Sequence, residues 1–154
     1  MLEAVLREEL AAIEALRELL RQEYDALRTR DAPTLERLAG EKQVCADSLR
    51  GLETRRLTLL RERGLPADPP GWTTALAAAA PAERAVLAEL VAALEQATAQ
   101  ARDQNGINGA IIAASRSHLE RALAILGGRD PLDFLYDQDT RKVFGGDSAP
   151  IAKA

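Results

Sequence analysis

The sequence predicts an all-α fold, an elongated antiparallel helical bundle or coiled coil of three main helices followed by a short irregular C-terminal tail. Three observations lead there. The 154 residues are 47% hydrophobic yet include only one Trp, two Tyr and two Phe, and Ala, Leu, Glu and Arg dominate; these are strong helix formers. Val, Ile, Thr and aromatic residues, which suit a pleated surface, are too sparse for a sheet-based domain. Long stretches also repeat their apolar residues every three or four positions, the period of one helix face. For this length a single bundle domain over residues 1–128 is expected, with 129–154 as a flexible aromatic-containing tail.

The first helix covers about residues 2–29. Leu2, Leu6, Leu10, Ile13, Leu16, Leu20, Tyr24 and Leu27 form one stripe, and Glu, Arg and Gln fill the other faces. The run Arg30–Pro33 interrupts it. Pro33 fits the first turn of a second helix, with Asp31 or Ala32 as its cap.

The second helix covers about residues 33–63, with a stripe of Leu35, Leu38, Cys45, Leu49, Leu52 and Leu59. The stripe weakens around Glu41 and Lys42, and Gly40 and Gly51 each cost about 1 kcal/mol relative to Ala inside a helix. Gly64 suits a left-handed C-cap, and residues 64–72, rich in Pro and Gly, read as a loop. Trp72 packs that loop on the bundle, and Thr73 or Thr74 starts a short helix running to Ala80.

The third main helix covers 81–126. Alternating steps of three and four select Leu87, Leu90, Leu94, Ala97, Ala101, Gln104, Asn108, Ile111, Ser115, His118, Ala122 and Ile125, a heptad seam. Gly127–Gly128 and Pro131 end it. At 1.5 Å per residue such a helix is about 70 Å long, beyond what two helices of about 45 Å cover on both faces. In the tail, Leu132–Phe144 is read as a small hairpin turning at Asp137–Asp139, and the residues from Gly145 onward as disordered.

Composition narrows the function. A pI near 5.1 and a net charge of −4 argue against a general nucleic-acid binder, which must neutralise phosphates. The lone Cys45 cannot form an internal disulfide, which suits a reducing compartment. Glu3, Arg7, Glu8 and Glu9 break any signal-peptide pattern, and no window is apolar enough to span a membrane. A cytoplasmic protein without an integral membrane segment is the expectation. With one His and one Cys in different helices, no metal site or nucleophile pair assembles, and no glycine motif has phosphate-binding spacing. The reading is a binding protein rather than an enzyme, with no cofactor or metal.

One stretch of the third helix departs from the pattern. Its seam reads Gln104, Asn108, Ile111, Ser115 and His118, with Gly106 and Gly109 beside it. Either Asn fixes register and Gly admits a close neighbour, or this half of the helix is unsatisfied within the chain and offers Ile107, Ile111, Ile112, Leu119, Leu123 and Leu126 to a partner helix. Both can hold. His118 reads as a seam-edge residue making a local hydrogen bond.

These residues carry a family resemblance. Leu27, Asp31, Leu35, Lys42, Leu49, Leu52, Arg55 or Arg56, Leu59, Leu60 and Gly64 fill the pattern of a helix pair, in the run from Gln22 to Gly64. The more specific signature is Asn105-Gly106-Ile107-Asn108, then Ile111-Ile112, Ser115 and Leu119, and Tyr136 lies in the tail. Together, over about residues 2–144, they resemble the FlgN-type flagellar export chaperones. Thr140 follows the tail turn where that family has a Gly nearer Tyr136.

The resemblance implies a cytosolic chaperone that binds C-terminal helical segments of hook–filament junction (hook-associated) proteins, prevents their premature assembly and delivers them to the type III export gate. It assigns client binding to Asn105, Asn108, Ile111, Ile112, Ser115, Leu119, Leu123 and Leu126, and contact with the cytoplasmic domain of the gate protein to Tyr136. A monomer or weak dimer is expected. Two rivals are a self-associating structural coiled coil without a specific client, and a ligand sensor using the row Gln104, Asn108, Ser115 and His118.

Overall fold

The fold was obtained as a computed structural model that describes residues 1–66 and 70–127. It contains α1 (Leu2–Thr29), α2 (Ala32–Glu62), α3 (Pro70–Ala78) and α4 (Pro81–Leu126). There is no strand among the described residues. The chain divides into two compact units, Met1–Gly109 and Ala110–Ala154. The division falls inside α4.

In the first unit, α1 and α2 form an antiparallel hairpin. Arg30 takes the left-handed conformation at φ 55°, and the Asp31 N–H donates to the Ala26 carbonyl at 3.0 Å, closing the end of α1. The next helix starts at once. The Asp31 carboxylate accepts from the Thr34 N–H at 3.2 Å and its hydroxyl at 2.6 Å, and Pro33 occupies the first turn. At the far end Gly64 has φ 67°, and the Leu65 N–H reaches the Leu60 carbonyl at 2.9 Å. This left-handed stop, which glycine adopts without steric cost, matches the expectation from sequence.

The hairpin and the start of α4 share one core. Leu2, Leu6, Leu60, Ala75, Leu87, Leu90 and Val91 cluster there, with Leu10, Leu65, Trp72, Leu76 and Leu94 packed around them. Each fully buried Leu contributes roughly 2 kcal/mol through removal of apolar surface from water. Because Leu2 and Leu6 meet Leu87 and Leu90 while Leu20 meets Asn108, α4 runs parallel to α1 within this unit.

Trp72 packs on the core as expected, but its setting differs. The short helix α3 begins at Pro70, inside the stretch read as a loop, and ends at Ala78 rather than Ala80. A Pro in a first helical turn lacks only an N–H that would have no partner there, so the Pro-rich signal does not exclude a helix start. Arg84 donates to the Ala77 and Ala79 carbonyls at 3.1 and 3.0 Å, satisfying acceptors left free where α3 stops.

Helix α4 is continuous through Gly106 and Gly109. In the second unit the described residues are the last turns of α4 and Gly127. The expected tail hairpin, the terminus expected to be disordered, and Tyr136 lie outside the described residues.

Candidate functional site

Two buried ion pairs join α1 to α2. Glu9 is 4% exposed and accepts from Arg56 Nε at 3.0 Å; Glu23 is 6% exposed and accepts from Lys42 Nζ at 2.9 Å. Burial dominates at Glu9 and pushes its carboxyl above the ordinary 4.5, although the Arg56 guanidinium pulls the other way. Its Oε2 has no hydrogen-bond partner. Arg56 also stacks over the Trp72 ring, 5.0 Å from the centroid, so it ties α3 to the same place. Cys45 donates its thiol hydrogen to the Ala12 carbonyl at 3.3 Å, and burial pushes that thiol up.

Asn108 completes the second pair. It is fully buried, and its Nδ2 donates to the Leu20 carbonyl and to Glu23 Oε1, both at 2.9 Å. Its Oδ1 accepts from Gln104 at 2.9 Å. Side chains of α1, α2 and α4 therefore meet in one network, Lys42–Glu23–Asn108–Gln104. This corrects the sequence assignment of Asn108: it is an internal register contact and not part of an exposed binding surface. The network meets the structural reading of the polar seam in part. The glycines do not, because a Cβ built on Gly106 or Gly109 meets nothing within 4 Å, so no neighbour exploits the missing side chain.

The remaining candidates stand differently. Asn105 is exposed and belongs to the first unit. In the second unit Ile111 is half-buried, and Ile112, Ser115, Leu119, Leu123 and Leu126 are exposed. The large side chains are far from covered: Leu119 is 60% exposed, Leu123 and Ile125 59% and Leu126 84%. His118 is exposed, and its side chain makes no hydrogen bond among the described residues, where a local one was expected. The ligand-sensor row is broken up, since Gln104 and Asn108 bond each other while Ser115 and His118 face solvent.

At 100° per residue, Ile111, Ile112, Leu119, Leu123, Ile125 and Leu126 span an arc of about 160° around α4. Arg116, Glu120 and Arg121 fall outside that arc, whereas the exposed His118 lies within it, between Ile125 and Ile111. Arg116 and Glu120 pair with one another at 3.6 Å, beyond the Leu123 edge of the arc. This is an amphipathic helix end whose apolar face lacks the cover that the same helix has around Leu87 and Leu90.

Among the described residues of the first unit, no arrangement converges on a reactive centre. A groove of about 470 Å³ between α1 and α4 is lined by Glu14, Arg17, Glu18, Arg21, Asp103 and Gln104 among others. Four of its charges pair locally, Arg17 with Glu14 at 2.8 Å and Arg21 with Glu18 at 2.6 Å. Among the described residues no group of three His, Cys, Asp or Glu is placed to hold a metal ion, and no helix is long and apolar enough to cross a membrane.

The model of the FlgN protein family matches residues 1–142, nearly the whole chain. The chain belongs to the FlgN family. A FlgN crystal structure from Pseudomonas aeruginosa, described as a flagella synthesis protein, superposes with a TM-score of 0.64 at 27% identity, over 71% of this chain and 84% of that one. No curated protein matches the chain. The FlgN match includes both the buried network of the first unit and the exposed arc of α4. It ties the helical bundle to flagellum synthesis.

The sequence missed Glu9 and Glu23 as buried residues, and Lys42 and Arg56 as their half-buried partners. A signal for them existed. Glu9 and Glu23 fall on the three–four spacing of the α1 stripe, between Leu6 and Ile13 and between Leu20 and Leu27. Lys42 and Arg56 occupy the matching places in α2, between Leu38 and Cys45 and between Leu52 and Leu59.

Proposed function

We propose that this protein is a flagellar export chaperone. It holds C-terminal helical segments of hook–filament junction proteins on the exposed apolar arc of α4, keeps them from assembling early and hands them to the type III export gate. The observation that carries this reading is the arc itself, in a chain of the FlgN family: Leu119, Leu123, Ile125 and Leu126 are all more than half exposed. Such a surface remains favourable to cover, because each large side chain removed from water contributes about 1–2 kcal/mol. A client helix with its own apolar face gains in the same way, and is shielded while it is held.

The binding side chains would be Ile111, Ile112, Leu119, Leu123 and Leu126, with Ser115 and Asn105 as polar contacts. Tyr136 would contact the cytoplasmic domain of the gate protein. The chemistry is association alone, without catalysis or cofactor, so release depends on competition at the gate. The protein would act in the cytoplasm as a monomer or weak dimer.

The test is a calorimetric titration with a purified junction protein, with light scattering to give the mass of the complex. The expected result is tight binding that vanishes when the client lacks its last helix. No binding, together with a concentration-dependent dimer of this chain, would transfer the arc to self-association and remove the client.

A further inference from the structure

Arg56 of α2 touches two other elements at once. Its Nε donates to Glu9 Oε1 of α1 at 3.0 Å, and its guanidinium lies over the Trp72 ring of α3, 5.0 Å from the centroid. The first contact sets the second, because Nε belongs to the same rigid plane that stacks on the indole.

The hold on Nε is a single bond. Glu9 Oε2 has no hydrogen-bond partner, so the pair uses one bond where a guanidinium and a carboxylate can form two in parallel. A second carboxylate stands nearby: Glu53 Oε1 is 3.8 Å from an Arg56 terminal nitrogen, and its side chain is 59% exposed, whereas Glu9 is buried. Two carboxylates thus face one cation, and burial favours the neutral form of Glu9.

A proton on Glu9 removes the charge that holds Nε and leaves Glu53 as the anion beside Arg56. The guanidinium then turns toward solvent and off the indole. Linkage requires the same direction, since a cation that favours the ionised carboxylate binds the protonated one less well. Other charges around the site are engaged or turned away. On α1, Glu8 is exposed and accepts from Arg55 of α2 at 2.6 Å. The α3 residues Pro70–Ala78 include no ionisable side chain. Helix α4 turns Leu87, Leu90, Val91 and Leu94 to this core, with Glu83, Arg84 and Glu89 exposed.

We propose that Glu9, Arg56 and Trp72 form a proton-sensitive clasp on α3, closed while Glu9 is ionised and open when it is protonated. At nine residues α3 is too short to persist as a helix by itself, so it depends on contacts of this kind. With the clasp open, Ala75 and Leu76 still rest on the core, and the tie from Trp72 to the Glu9–Arg56 pair is lost. The clasp lies within the first unit and does not depend on the client-binding reading.

The experiment follows Trp72, the only Trp of the chain, by fluorescence and acrylamide quenching as pH is lowered. Circular dichroism records helicity, and NMR records the Glu9 carboxyl. The expected result is one Trp72 transition toward greater quenching, at constant helicity, with the same midpoint as Glu9 and above 4.5. Glu9→Gln should show the acid-side quenching at neutral pH and have no transition. Arg56→Met should raise the proton affinity of Glu9 about tenfold or more and leave Trp72 insensitive to it. Should either variant fail to fold, the two midpoints in the natural chain decide. Different midpoints for Trp72 and Glu9 would overturn the clasp. So would a Trp72 transition that persists in Glu9→Gln, or one that occurs only with loss of helicity.

Discussion

Glu9 and Arg56 show what a buried charge does in this protein. The carboxylate is almost wholly removed from water, one of its oxygens has no partner, and its pKa is raised in spite of the guanidinium beside it. Desolvation therefore outweighs attraction here, as is common for buried pairs. Arg56→Met should leave the carboxyl buried without its partner and lower stability by about 3 kcal/mol, measured by urea denaturation. The double variant with Glu9→Leu should regain most of that loss, and a double variant no better than the single would mean the pair itself stabilises. The pH behaviour follows from the same shift. The folded value lies above 4.5, so below it the folded protein binds the proton more readily than the unfolded chain. Glu9's contribution to stability is then lost as pH rises through the folded value. An NMR titration should find the Glu9 midpoint above 4.5, and a midpoint at or below it would show that Arg56 prevails.

Helices were legible in the sequence because their period is dictated by geometry. The three–four spacing in α1 and α4, the Asp31–Pro33 start of α2 and the Gly64 stop each rest on a local stereochemical rule that the bundle does not override. What was not legible depends on the partner element. Lys42 looked like a gap in the α2 stripe, and becomes intelligible only with Glu23 of α1 and Asn108 of α4 placed against it. The α4 seam was misjudged beyond Asn108 for another reason. Strict heptad alternation selects His118 and Ile125, but on a helix of 3.6 residues per turn that alternation drifts around the cylinder by about 20° per heptad.

Three substitutions test the helix-scale account. Asn108→Ala should cost about 2 kcal/mol, because it removes donors to Glu23 and Leu20 and opens a small void among three helices. A change within about 0.5 kcal/mol would mean the network contributes nothing as a unit. Gly106→Ala and Gly109→Ala should each stabilise the protein by about 1 kcal/mol, since the added methyl meets no neighbour and helix propensity improves. Destabilisation by either would reveal a close approach at that face, such as a partner's backbone.

For the whole molecule, the first unit supplies its own core, while the end of α4 carries apolar residues with no cover among the described residues. Membership of the FlgN family and that uncovered arc together support a protein built to hold another chain's helices. The fold class and the α4 surface could be read from sequence, since they follow from spacing. Which seam residues face inward could not, because Asn108 and Ile112 have similar helix positions and differ only in what stands opposite. Separate roles predict separable variants. Tyr136→Ala should leave client affinity unchanged and reduce secretion of the client in a motility and export assay; loss of affinity would instead place the tail in the client site.

The central claim is that the exposed arc of α4, and not the bundle core, is where a client binds. The most direct measurement is a calorimetric titration of a hook–filament junction protein with the natural chain and with the Ile111→Asp, Leu119→Asp double variant, with helicity followed by circular dichroism. The account predicts tight binding to the first, a loss of at least about a hundredfold with the second, and unchanged helicity in both. Equal binding by both chains would contradict it, as would loss of binding accompanied by loss of helicity, which would make those residues part of the core.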